Sequence, residues 1–238
     1  MTTFTAVITA RSGSKGLPKK NSLPLYGKPL LAWSALFAQH HPLIKRCILS
    51  TDCESLASIG RSFNCEVPFI RSPELSSDRA SSSDVILDVI HQCKLTEDEI
   101  ILLLEPTSPY RLFSDLDSLQ ELYSSYSKCN KVVSVTQAIS SSYQFQYLRD
   151  AGRGGLLGSL ASSFEGKYLR RQDIDSTFFL DGTFYSSRVS SFISNPSFVD
   201  NQTLSIESSY FSAFEIDQLN DLLLYEAIFS HVGPPFEV

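Results

Sequence analysis

Apolar residues along the chain come in short bursts separated by amphipathic stretches, and the alternation keeps a steady rhythm. Phe4-Thr5-Ala6-Val7-Ile8 is short and contains β-branched residues, which predicts a buried first strand. Pro29 to Gln39 reads as a helix, because Leu30, Leu31, Trp33, Ser34 and Phe37 allow an apolar face. Cys47 to Ser50 predicts a second strand, and Thr51 or Asp52 would cap a helix running to about Phe63. Val67 to Ile70 reads as a short strand. Asp84 to Cys93 reads as a helix with Val85, Leu87 and Ile90 on its apolar side. Glu99 to Leu104 is apolar on both faces and so should lie centrally in a sheet. Leu112 to Tyr126 is helical in pattern, and Lys131 to Val135 is the next strand. Each strand–helix unit takes about 25–30 residues, the spacing of a parallel sheet with helices on both faces.

The rhythm breaks near Gln137. From Ser140 to Asp181 come Gly152, Gly154, Gly155 and Gly158, many serines, and the aromatics Tyr143, Phe145, Tyr147 and Phe164. The stretch is too aromatic for a linker. It reads as an inserted excursion that buries its rings against another surface, a partner subunit being one candidate. Thr183 to Ser186 resumes a strand, Leu204 to Ile206 suggests another, and Phe214 to Ile216 leads into a final helix from Asp217 to Phe229. No internal repeat is visible. Residues 1–238 therefore read as one α/β domain, with an insertion at about 137–181.

Composition narrows the class. The hydrophobic share of 42% is ordinary for a globular chain. The net charge of −6 makes nucleic acid or an anionic membrane a poor partner. Against that background, four cations (Arg11, Lys15, Lys19 and Lys20) fall between Arg11 and Asn21, which suggests focused binding of a small anion. Five cysteines without a Cys-x-x-Cys pair read as reduced thiols of a cytoplasmic protein. The N-terminal apolar stretch is too short for a signal peptide. The aliphatic run Ile100 to Leu104 is far too short to span a membrane. The four histidines read as surface or packing residues.

In an open parallel sheet, ligands sit beyond the carboxyl ends of the strands, and the chemistry-bearing residues follow the strands here. The loop from Arg11 to Asn21 contains Gly13 and Gly16. Freed backbone N–H groups and cationic heads there form a cradle for polyphosphate. The loop is neither a Walker A sequence nor Gly-x-Gly-x-x-Gly. Thr51-Asp52, Arg71 and the proline-stiffened Glu105-Pro106-Thr107-Ser108-Pro109-Tyr110-Arg111 follow later strands. Glu215 and Asp217, two apart on an extended segment, point to one side. Such a pair can hold Mg²⁺ through carboxylate oxygens. The plainer reading makes Asp217 a helix cap. Ser81, Ser82 and Ser83 read as an N-cap run. Equally, their hydroxyls and the helix N–H groups could meet a nucleotide's base or ribose.

Taken together, Ile8 to Asn21, Ser50-Thr51-Asp52, Arg71-Ser72-Pro73-Glu74-Leu75 with Asp78 and Ala80, Leu104 to Arg111, Arg171-Gln172-Asp173, Asp181 to Tyr185, and Glu215-Ile216-Asp217 with Asp221-Leu222 resemble the acylneuraminate cytidylyltransferases, or CMP-sialic acid synthetases. They resemble the cytidylyltransferases for Kdo more distantly. The resemblance covers essentially the full length. It implies a Rossmann-like three-layer α/β/α sandwich with a mostly parallel sheet and an inserted dimerisation segment. The implied enzyme joins CTP to a nine-carbon 2-keto sugar acid and releases pyrophosphate, as a cytoplasmic homodimer serving surface polysaccharide synthesis. By resemblance, Arg11, Ser14, Lys15, Lys20 and Asn21 hold the triphosphate, and Arg71 and Ser82 serve the cytidine. Asp217 and Glu215 bind Mg²⁺. Glu105, Arg171, Asp181 and Tyr185 lie on the sugar side, with Arg171 supplied across the dimer. Arg11, Lys15 and Asp217 are the implied catalytic groups. Asp217, or a water on its metal, is the candidate base, and the water is favoured because a metal-bound carboxylate is a weak base.

The chain departs from the family pattern at several of these positions. Glu105 stands where glutamine usually precedes Pro-Thr-Ser-Pro, Asp181 where asparagine is usual, and Glu215 where aspartate is usual. No lysine falls between Gln137 and Tyr147. Two amide-to-acid exchanges on the sugar side suggest an acceptor with a cationic or extra donor group, such as a legionaminic-, pseudaminic- or amino-type acid. Neutral drift is the alternative. Competing readings are a cytidylyltransferase for Kdo or another 2-keto sugar acid, a transferase using UTP, and a non-catalytic CTP-binding regulator.

Overall fold

The computed structural model describes residues 2–14, 16–77, 79–138, 147–150, 156–159 and 176–237. Strand β1 (Phe4–Ala10) leads through the basic loop into a small hairpin, β2 (Pro24–Leu25) and β3 (Lys28–Pro29), and then α1 (Leu30–His40). Next come β4 (Ile44–Thr51), α2 (Glu54–Ser62), the single turn α3 (Pro73–Ser76) and α4 (Ser82–Gln92). Strand β5 (Ile100–Leu103), α5 (Phe113–Ser125) and β6 (Lys131–Gln137) follow. A separate hairpin, β7 (Tyr147–Asp150) with β8 (Leu156–Ser159), lies within the inserted stretch. The chain closes with β9 (Phe178–Arg188), α6 (Val189–Ser194), β10 (Leu204–Glu207) and α7 (Leu219–His231).

Six strands form one sheet in the order β10-β6-β9-β5-β1-β4. β1 pairs in parallel with β4 and β5, and β10 pairs in parallel with β6. β9 alone runs against its neighbours, inserted between β5 and β6. The strand residues alternate between two cores. Ala6, Ile8, Leu49, Leu102 and Val132 face the core that contains Trp33 of α1, Leu116 of α5 and Tyr225 of α7. Val7, Ile48, Ile101, Leu103 and Val133 face Ile86 and Val89 of α4 and Phe192 of α6. Period-two alternation thus gives the expected three layers. β5 is buried throughout and lies in the interior of the sheet, as its two-faced apolar run predicts.

Several expectations are corrected. Val67 to Ile70 is not a strand. Only single bridges form, Ile48 to Glu66 and Thr51 to Ile70, since Pro68 has no N–H to give a ladder. The strand expected at Thr183–Ser186 extends over eleven residues and is antiparallel. Phe214 to Ile216 is extended but pairs with no strand, and the last helix starts at Leu219 with Gln218 as its cap. The histidines do pack or face solvent. In buried His41, Nδ1 lies 3.3 Å from the Leu43 N–H and Nε2 lies 3.3 Å from the Phe113 carbonyl. This pairing suits a neutral ring, and burial lowers its pKa. All five cysteines are free.

Candidate active site

A cavity of about 540 Å³ opens beyond the carboxyl ends of β1 and β5. The segment after β1 supplies Arg11, Ser14, Gly16, Lys20 and Asn21 to its wall. The loop is shaped by specific contacts. Buried Asn21 donates its amide N–H to the Arg11 carbonyl at 3.0 Å. Ser12 donates its backbone N–H and its hydroxyl to the Asp52 carboxylate, at 2.8 and 2.9 Å. Asp52 is therefore committed to the loop. The N-cap of α2 is Cys53, whose side chain makes no cap bond. Gly16 is required by proximity, because a Cβ there would stand 2.6 Å from the Asp217 carbonyl oxygen.

Arg71 and Ser82 meet on the next wall. Arg71 is buried, and its backbone N–H donates to the Thr51 carbonyl at 2.8 Å, which fixes it at the end of β4. Burial lowers the guanidinium pKa, and the nearby Arg11 charge adds to the shift. The capping of α4 falls to Ser81, which forms a reciprocal box with Asp84. That leaves the Ser82 hydroxyl on the cavity wall.

The facing wall is acidic. Glu105, Glu215 and Asp217 all line the cavity. The Lys20 ammonium donates to Asp217 Oδ1 at 2.8 Å. Asp217 is thus not the cap of α7. Its backbone N–H and that of Gln218 donate instead to Asp221. Burial, the Glu105 charge and the Asp217 charge push the Glu215 carboxyl up to about 7. Burial raises Glu105 too, against the opposing fields of Arg111 and Lys20. Gly182, at φ +73°, lets the Glu215 carboxylate lie directly on its backbone. Among the described residues, no cluster of three His, Cys, Asp or Glu side chains is gathered as an ion-binding set. The Glu215 and Asp217 carboxylates, like charges on one cavity wall, are oxygen donors of the kind Mg²⁺ takes one or two at a time, with phosphates and water completing its shell.

Two of the expected sugar contacts are not among the residues that line the cavity. Asp181 is fully buried. Its carboxylate accepts from Ser134 at 2.5 Å, from Thr136 at 3.0 Å, from Ser208 and from the Thr183 N–H at 2.9 Å. An acid so placed anchors β6, β9 and the segment after β10, and it is not presented to the cavity. Tyr185 sits on β9 behind the acidic wall with its ring against Phe198. Burial and the charges of Glu105 and Glu215 raise its phenol pKa. Lys15, Arg171 and most of the inserted stretch lie outside the described residues. The cavity also contains Leu75, Ser77, Thr107 and Gln218, which carry no charge pattern that would mark them in the sequence.

A wound α/β sheet with a cationic first loop facing carboxylates across one cavity at its carboxyl edge defines the class, a wound α/β protein built to take a small polyanion there. The cytidylyltransferase family model matches residues 5–225, and the chain belongs to that family. The N-acylneuraminate cytidylyltransferase of Escherichia coli strain RS218 is 37% identical over 149 residues, 63% of this chain and 35% of that protein. The enzyme of the same name from Streptococcus agalactiae serotype V is 30% identical over 220 residues, 91% of this chain and 51% of that one. This chain thus spans about half the length of these relatives, or less. A solved CMP:2-keto-3-deoxy-manno-octonic acid synthetase complexed with CTP superposes with a TM-score of 0.69 at 17% identity, covering 97% of this chain and 100% of that one. At that identity the likeness establishes the shared fold.

Proposed function

We propose that the chain transfers a cytidylyl group from CTP to a nonulosonic acid, a sialic-acid-like nine-carbon 2-keto sugar acid, with release of pyrophosphate. The observation that carries this reading is one cavity in which Arg11, Lys20 and Arg71 face Glu105, Glu215 and Asp217. In the reaction the anomeric hydroxyl oxygen bonds to the α-phosphorus. The bond to the bridging oxygen breaks, and pyrophosphate leaves with the electron pair. Negative charge concentrates on the leaving group, where Arg11, Lys15 and Lys20 stabilise it. Ser14 and Asn21 shape the phosphate cradle, while Arg71 and Ser82 take the cytidine. Asp217 orients the water that receives the hydroxyl proton, since a carboxylate holding the Lys20 ammonium and a metal is itself a weak base. Glu215 and Asp217 would hold Mg²⁺. When bound, the ion supplies neutralisation of phosphate charge.

On the acceptor side, the Glu105 carboxylate favours a sugar acid that offers an amino or additional donor group. The family resemblance also supports a cytoplasmic homodimer, with Arg171 contributed across the interface, acting in surface polysaccharide synthesis. The deciding experiment is pyrophosphate release from CTP with N-acetylneuraminate, legionaminic acid, pseudaminic acid and Kdo, with and without Mg²⁺. Mg²⁺-dependent release with a nonulosonic acid is expected, together with little or none when UTP replaces CTP. CTP binding without release on any acid would instead make the chain a non-catalytic regulator. Preference for Kdo would move the acceptor class. Full efficiency on plain N-acetylneuraminate would remove the amino-acceptor part of the reading.

A further inference from the structure

We propose that Arg111 is a positioning residue that sets Glu105 against the acceptor; the role rests on the transfer reaction proposed above. Arg111 is fully buried and does not line the cavity. Its Nη2 donates to the Glu105 carbonyl at 2.7 Å, its Nε to the Thr183 carbonyl at 2.9 Å, and its Nη1 to the Ser34 hydroxyl at 3.0 Å. The Ser34 hydroxyl itself reaches the Glu105 carbonyl at 3.4 Å. One guanidinium thus joins α1, β9 and the loop after β5. That loop in turn carries the acidic segment, since the Ile216 N–H donates to the Thr107 carbonyl at 2.8 Å.

These three acceptors are uncharged, so none of them cancels the arginine's charge. Burial lowers its pKa only to about 10, with the Glu105 carboxylate as the main opposing influence. Arg111 therefore remains a cation at neutral pH. It is a fixed positive charge beneath a wall where Glu105 and Glu215 repel each other. The planar fork is essential to this arrangement, because a lysine ammonium cannot reach three acceptors spread over one plane in the same way. The cations of the nucleotide side, Arg11 and Lys20 toward the phosphates and Arg71 toward the cytidine, come from other segments. Loss of Arg111 should therefore be felt by the acceptor more than by the nucleotide.

The test compares Arg111→Lys and Ser34→Ala with the parent chain. Steady-state kinetics use CTP and the best acceptor of the panel, and calorimetry measures CTP binding. For Arg111→Lys, kcat/KM for the acceptor should fall roughly 10- to 100-fold, the effect of one lost charge-assisted hydrogen bond. The CTP dissociation constant should stay within about threefold of the parent, below half of a tenfold step in free energy. Ser34→Ala should show a smaller loss of the same kind, and it decides the matter if Arg111→Lys does not fold. Equal losses for nucleotide and acceptor, or a Ser34→Ala variant that matches the parent, would overturn the positioning role. A parent that releases no pyrophosphate overturns the transfer reading, and this role with it. An active parent with unaffected variants overturns the role alone.

Discussion

Lys20 and Asp217 illustrate how much one contact in the cavity can carry. The lysine head is only 14% exposed while its partner carboxylate is 68% exposed. The cation is therefore held in place while the acid remains open to ligand. A hydrogen bond to a charged group contributes roughly 1.5–3 kcal/mol. Lys20→Met should accordingly lower pyrophosphate release about 10- to 100-fold, with an unchanged circular dichroism spectrum. A loss below about threefold would mark the pair as an ordinary surface contact. Gly16 and Gly13 provide a matched pair. A Cβ at Gly16 would meet the Asp217 carbonyl, whereas a Cβ at Gly13 would meet nothing within 4 Å. Gly16→Ala should weaken CTP binding in a calorimetric titration, and Gly13→Ala should leave it unchanged. Equal binding by both variants would mean that the loop does not need its close approach to residue 217. Of the residues legible in the sequence, Arg11 directly follows β1 and Ser82 opens α4, while Lys20 and Arg71 lie in connecting segments near the same sheet edge. Asp52, Asp181 and Arg111 were not legible in their roles. Their partners, Ser12, Ser134 and Ser34, lie 40, 47 and 77 positions away, and no local pattern encodes such pairings.

The elements divide along the same physical line. β1, β5, α4 and α5 follow from local apolar periodicity, because each buries a face against the sheet. β9 is longer than its local signal, because its direction and length come from pairing with β5 and β6, a long-range property. Asp115, in the first turn of α5, shows what such tertiary packing does to an ordinary helix residue. Its carboxyl accepts the Ser209 backbone N–H, yet one of its oxygens is buried without a partner. Burial raises its pKa to about 6 from an ordinary 3.8, and the Asp181 charge adds to the shift. Between these values the folded chain holds a proton that the unfolded chain releases, so stability falls as pH rises across that window. Above it the penalty is constant. Asp115→Asn should therefore flatten the change in melting temperature between pH 4 and 6 (the window of the linkage, about two units wide). A parent whose stability does not decline over that range, after comparison with the variant, would show that Asp115 is solvated like a surface acid.

At the scale of the whole molecule, charge and apolar surface point to different partners. The chain carries a net charge of −6, yet its cationic loop faces the cavity and is suited to a small polyanion. At the start of β9, Phe178, Phe179 and Leu180 are 48%, 40% and 43% exposed. Three consecutive exposed apolar residues present both faces of the strand to solvent, which is costly unless another surface covers them. They adjoin the inserted stretch, where Arg171 is expected to serve the neighbouring subunit. The homodimer proposed above would cover them, and it is testable by complementation. Lys20→Met and Arg171→Ala chains, each nearly inactive alone, can be mixed after partial unfolding. In a two-fold dimer with shared sites, half of the mixed dimers carry one chain of each kind, and each of these has one site with both an intact Lys20 and an intact Arg171. Activity should return to about a quarter of the parent level. If mixing restores nothing while sedimentation shows exchanged dimers, each site is complete within one subunit and Arg171 acts in its own chain. A parent that sediments at 26.5 kDa at micromolar concentration would remove the dimer and leave the exposed β9 residues to some other partner.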